Sequence, residues 1–149
     1  GNLSTVWTGG NTTWFTYASD ARVKDNVQED VQGLAFILKL RPVTYNLNIR
    51  TMAKITGNKE GESFPEKYDI EKIKQTGFIA QEIEKAAKES GYIFSGVTTP
   101  KKETELYTVS YAQFVVPLVK AVQEQQTQIL QLQQLVSALE KRLAAVETK

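Results

Sequence analysis

The stretch Ala18-Ser19-Asp20-Ala21-Arg22-Val23-Lys24-Asp25-Asn26-Val27 holds the side chains best suited to covalent chemistry. A serine hydroxyl is a weak nucleophile until a base takes its proton. The commonest base is missing, because the chain has no histidine. With no cysteine there is no thiolate chemistry and no disulfide framework either. A lysine is the natural substitute, since a Ser–Lys pair is a variant of the same triad logic. Such a lysine has to be neutral to accept a proton, which calls for desolvation or a neighbouring positive charge. Ser19 and Lys24 stand five residues apart, and an extended or turning segment can bring them together. By spacing alone the plainer reading is a serine capping a helix ahead of Asp20, with Arg22 and Lys24 as solvated charges.

The elements that must position these residues fall into three zones. Residues 1–18 carry the strand formers Val6, Trp7, Trp14, Phe15 and Tyr17 around the turn signal Gly9-Gly10-Asn11. They suit either the last turns of an upstream β-rich stalk or an edge hairpin of the same domain. Residues 19–113 carry a mixed α/β pattern. Val31, Leu34, Ala35 and Leu38 have helical spacing, and Pro42 stops that helix. Val43–Leu47 alternates as a short strand. Residues 56–75, with Gly57, Gly61 and Pro65, read as a polar surface insertion or loop. Thr76–Ala80 leads into a helix through about Glu89. Tyr92–Phe94 and Leu106–Val109 read as strands on either side of a loop around Pro100.

Residues 114–149 differ in kind. Val115, Leu118, Val122, Gln125, Ile129, Leu132, Val136, Leu139, Leu143 and Val146 alternate steps of three and four, which is a sustained heptad seam. Position a holds Val115, Val122, Ile129, Val136 and Leu143, and position d holds the others. Mostly β-branched a layers with mostly Leu d layers fit a parallel dimer, and a trimer stays open. Arg142 at g can reach Glu147 at the next e of a neighbour, which favours parallel chains. Gln125, polar at d, can fix register. The other reading is one amphipathic helix folded onto its own domain, which a strict 3.5-residue period of this length matches poorly.

Composition narrows the functions. Eighteen basic and seventeen acidic residues leave a formal charge of +1, so no electrostatic case exists for nucleic acid or an anionic membrane. No apolar run is long enough to span a bilayer. The start, Gly1-Asn2-Leu3, lacks the pattern of a signal peptide and reads as the edge of a longer polypeptide. No metal cluster, Gly-rich phosphate loop or carboxylate pair stands in a convincing context, so no cofactor or metal is expected. A conventional enzyme acting on an external substrate is the least favoured class.

Four strings occur in order ahead of the heptads: Ser-Asp-x-Arg-x-Lys-x-Asn-Val at 19–27, Leu-Arg-Pro-Val-x-Tyr at 40–45, Gly-Phe-Ile-Ala-Gln-Glu at 77–82 and Val-Ser-Tyr at 109–111. Each alone is unspecific, but the ordered set resembles the C-terminal intramolecular chaperone domain of phage endosialidases, tail spikes and tail fibres. The resemblance implies an α+β fold: a small mixed α/β body over 19–113, then a long helix at 114–149 in a parallel trimeric coiled coil. It implies a homotrimer that holds an upstream β-rich fibre of the same polypeptide in register and then cuts itself free. By motif position Ser19 is the nucleophile, Lys24 the general base and Ala18–Ser19 the scissile bond. Asp20 and Arg22 shape the site. Gln81 and Glu82 either join them or serve only as polar residues at a helix start. The implied location is a phage virion tail, with the precursor assembled in the host cytoplasm, or a bacterial surface fibre. A pure structural cap that trimerises without cutting needs the heptads but not the dyad.

Overall fold

The computed structural model describes residues 19–57 and 68–147. The expected stalk or hairpin at 1–18 and the Ala18 side of the expected scissile bond lie outside the described residues, as does the middle of the expected loop, 58–67. Pro42 and the short polar stretches divide the body into brief elements. α1 (Leu34–Ile37) is one turn rather than the longer helix that the spacing from Val31 to Leu38 predicts. Gly33, at φ −96° and ψ −106°, breaks the helical path before it, and Pro42 disfavours helical backbone at Arg41 beyond it. Leu38 is consequently 76% exposed, and Phe36 becomes the residue that α1 buries.

β1 (Val43–Tyr45) pairs antiparallel with β2 (Gln75–Gly77), in the register Val43 to Gly77 and Tyr45 to Gln75. Between them lies α2 (Ile49–Thr56), which the sequence pattern does not announce. Asn48 starts it by accepting the Thr51 N–H at 2.8 Å, and Gly57 ends it in the left-handed region at φ 67°. The surface-loop expectation for 56–75 is too wide. A 3-10 turn runs over Asp69–Lys72, and its Glu71 accepts the Ile49 N–H at 2.8 Å and the Asn46 side-chain N–H at 2.9 Å. Gln75 is already in β2.

α3 (Ala80–Glu89) forms where expected and buries Ala80, Ile83, Ala86 and Ala87 on one face. Its end is a Schellman turn: Gly91, at φ 63°, donates to the Lys88 carbonyl and Tyr92 to the Ala87 carbonyl. That turn replaces the strand expected at 92–94. Tyr92 and Phe94 turn inward, and Ile93 is left 97% exposed. The alternation was real, but a helix exit produced it. β3 (Val97–Thr98) pairs antiparallel with β4 (Thr108–Val109), so only the end of the strand expected at 106–109 is paired.

Phe36, Ile83, Ala86, Ala87 and Phe114 make the core, flanked by Phe78, Tyr92, Phe94, Val97 and Val109. The rings meet at favourable offsets, with Phe94 centred 4.8 Å from Phe114 and 4.9 Å from Phe36. α4 (Val115–Glu147) then runs for 33 residues as a single helix. The body buries Pro117 and Ala121 of α4, just after core Phe114, and it bonds Glu124. The seam residues Val115, Leu118 and Val122 each follow one of these by one position, so they sit roughly 100° further round the helix and are exposed. The body therefore uses a different face of α4 and leaves the heptad seam uncovered. The fold is a small mixed α/β body with two short antiparallel sheets and a long C-terminal helix.

Candidate functional site

The segment after Ser19 folds on itself. Asp20 caps a 3-10 turn at Ala21–Val23: its Oδ1 accepts the Arg22 backbone N–H at 2.9 Å. The Arg22 guanidinium comes back onto the same carboxylate, with Nε 3.0 Å from Oδ1 and Nη2 2.7 Å from Oδ2. Backbone bonds from Val23 to the Asp20 carbonyl and from Lys24 to the Ala21 carbonyl close the turn. That compact path brings Lys24 Nζ to 2.8 Å from Ser19 Oγ. The contact is within proton-transfer reach, with the ammonium donating in the arrangement described. Asn26 follows at φ 52°, a left-handed position that asparagine tolerates better than most residues.

The electrostatics of the turn are local. Hydrogen bonds from Arg22 hold the Asp20 carboxyl below its usual range and raise the Arg22 guanidinium in return. The Arg22 charge is thus already engaged by a carboxylate. Ser19, Asp20, Arg22 and Lys24 are all exposed in the single chain, and the site lies open to water.

Gln81 and Glu82 belong to a different element. Both lie in the first turn of α3, and Glu82 takes a two-pronged ion pair from Arg41, whose charge it stabilises. Among the described residues no hydrogen bond or ion pair joins either of them to the Ser19–Lys24 pair. The strings at 40–45, 77–82 and 109–111 meet one another instead. Val43 pairs with Gly77, Arg41 binds Glu82, and Tyr111 Oη accepts the Phe78 N–H at 3.2 Å. A Cβ on Gly77 would run into Tyr111 Oη, so this junction needs glycine. Arg41 and Tyr111 are contributors that spacing does not reveal, since their partners are distant in sequence. Glu124 is a third: its Oε2 accepts the Leu34 N–H at 2.8 Å. A helix surface carboxylate gives no sign of that role in the sequence.

Among the described residues no group of three acidic, histidine or cysteine side chains is placed to hold a metal ion. None of the described helices is long and apolar enough to cross a membrane. Compared with known families, residues 19–92 match the peptidase S74 family, described as the chaperone of endosialidase. The match begins at Ser19, the first residue of the turn. No curated protein and no solved structure matches the chain.

Proposed function

Residues 19–92 are a chaperone-of-endosialidase domain, and from that premise we propose that this chain trimerises an upstream β-rich fibre or spike and then releases itself by cutting the Ala18–Ser19 bond. Membership of the family implies an intramolecular chaperone with autoproteolysis. The observation that carries the finer reading is the 2.8 Å approach of Lys24 Nζ to Ser19 Oγ, in a turn that opens the matched domain. The nucleophile belongs to the residue just after the bond to be cut, so attack closes a five-membered ring. Lys24 takes the hydroxyl proton as Ser19 Oγ adds to the Ala18 carbonyl carbon. The proton passes to the Ser19 nitrogen as the C–N bond breaks, leaving Ala18 esterified to Ser19 Oγ. Water then hydrolyses the ester, giving an Ala18 carboxylate and a free Ser19 amine. Tethering both reactants in one turn supplies the proximity that the step needs.

Lys24 acts as a base only as a neutral amine, and the single chain leaves it in water. A neighbouring subunit lying over the turn would desolvate it, so that cutting awaits assembly. The order matters because flat β segments slip easily in register and pair slowly over long range. A coiled coil forms locally and raises the effective concentration of the attached chains. Once the clamp is gone the fibre cannot readily refold, so its persistence becomes kinetic. The seam at 115–146, with its exposed a and d residues, supports parallel assembly through α4, and the family context supports three copies. The setting would be a phage tail fibre or spike, or a bacterial surface fibre. Two variants test the dyad. Ser19→Ala removes the nucleophile, and Lys24→Arg replaces the base with a guanidinium that stays protonated. Both are expected to assemble and remain whole, and persistent cutting in either would refute the dyad.

A further inference from the structure

We infer that Val116 and Val119 form a docking surface for the body of the next copy, so that each body sits on two helices, its own and a neighbour's. The inference rests on the parallel assembly through α4 proposed above. At its base α4 is apolar almost all round: of residues 115–122 only Lys120 is polar. Three apolar faces meet there. The body of the same chain covers the first, at Pro117 and Ala121. α1 lies along that face, with the Leu34 N–H donating to Glu124 Oε2 at 2.8 Å, and a Cβ on Gly33 would fall 2.8 Å from the Ala121 nitrogen. The seam is the second face, at Val115, Leu118 and Val122. Val116 and Val119 make the third, and they are 59% and 52% exposed. The seam alone gives no reason for valine at 116, because position b of a coiled coil faces water, whereas a helix apolar on every side is a buried one.

The order of the faces round the helix names the occupant. At about 100° per residue, Pro117 and Ala121 stand roughly 110° to one side of the middle of the seam, and Val119 and Val116 roughly 70° and 130° to the other. Parallel copies related by rotation about one axis meet head to tail, so each helix turns one flank of its seam toward the opposite flank of the next. The body rides on the first flank and so comes to the second flank of its neighbour, where Val116 and Val119 stand. Antiparallel chains would bring like flanks together and leave Val116 far from any neighbouring body. Polarity along α4 changes at the matching height. Past Glu124, where the body bonds α4, position e holds Gln126, Gln133 and Glu140, and position b holds Ser137, with Leu130 the apolar exception. The flank is thus apolar where a neighbouring body would stand beside it and mostly polar beyond.

The chain has no cysteine, so a single introduced thiol reads its own cover. Val116→Cys and Ser137→Cys, each in the full chain, put a thiol at position b beside the body and at position b well beyond it. Maleimide labelling is followed by mass, and sedimentation reports the assembly of each variant. In the assembled protein Val116→Cys is expected to react on the order of tenfold more slowly than Ser137→Cys, since a covered thiol reacts only through local opening. Adding Ile129→Asp and Leu132→Asp, which charge the seam and separate the copies, should bring the two rates together. Val119→Cys against Gln133→Cys repeats the comparison at position e, which covers the case in which Val116→Cys fails to assemble. Equal rates in an assembled protein would overturn the inference. So would protection of Val116→Cys that survives in the monomer, because the cover would then come from the same chain. A wild-type chain that sediments as a monomer would refute the parallel assembly itself, and this inference with it.

Discussion

Phe36 and Ile129 are both large apolar residues on helices, yet one is 0% exposed and the other 44%. The difference divides the molecule. The body closes its aromatic cluster within one chain, with Phe36, Phe94 and Phe114 in mutual contact. The free part of α4 closes nothing: Leu132, Val136, Leu139, Leu143 and Val146 all face water. A single chain thus contains one hydrophobic core and, on α4, an apolar face that the described residues leave uncovered. The body can be specified by intrachain packing, whereas in the proposed assembly other copies would complete the helix. The Ser19–Lys24 turn has the reach for chemistry but not the dryness, and dryness is what other copies can supply.

The sharpest way to break this division is to charge the seam. Ile129→Asp with Leu132→Asp puts unpaired carboxylates into adjacent apolar layers, which costs several kcal/mol or more per assembly, of the order of ~5 kcal/mol. Sedimentation equilibrium should then show monomers, while near-ultraviolet circular dichroism of the body persists. Trimers surviving the double change would show that α4 is not the clamp. The reciprocal change is Phe36→Ala, expected to destabilise the body by about 3–5 kcal/mol. Denaturant unfolding should show that loss while the helical signal of the oligomer remains. Simultaneous loss of both signals would mean that the two regions do not fold apart.

Smaller effects sharpen the boundary. Asn26 holds a left-handed backbone just past Lys24, so Asn26→Ala should cost about 1 kcal/mol of local order and Asn26→Gly much less. Cutting rates in the two variants report it, and equal rates would show that the turn after Lys24 does not matter. The least effect concerns alkali. Burial, and then the nearby Asp30 charge, raise the Tyr92 phenol above its ordinary 10.0. The folded body prefers the neutral phenol, so this contribution is complete below the ordinary value and is lost as pH climbs through the raised one. Thermal midpoints should fall over that range, and Tyr92→Phe should flatten the fall.

Much of this division is legible in the sequence, for a physical reason. The seam repeats a local period over the whole of α4, so Val115 through Val146 declare a helix and a shared face by themselves. α3 is equally plain, because Ala80, Ile83 and Ala87 follow one period. The body is less legible because its elements are short and their partners remote. α1 is a single turn set by Gly33 and by Glu124 at the far end of the chain. Tyr92–Phe94 alternates like a strand because a Schellman turn sends the flanking rings inward. α2 offered only its Asn48 cap and Gly57 stop. At the site, the Ser19–Lys24 relation is local, and spacing allowed it. The roles of Arg41, Tyr111 and Glu124 arise from contacts across the fold, which no spacing encodes.

The measurement that bears most directly on the cutting reaction is intact mass with N-terminal sequencing, on purified full-length trimer incubated above neutral pH. Ammonium loses its proton as pH rises, so the rate of cutting should rise with it. The expected products are residues 1–18 and residues 19–149, the larger beginning at Ser19, with Ser19→Ala remaining whole under the same conditions. A new terminus at any other residue, or a wild-type trimer that keeps the mass of all 149 residues, would contradict it.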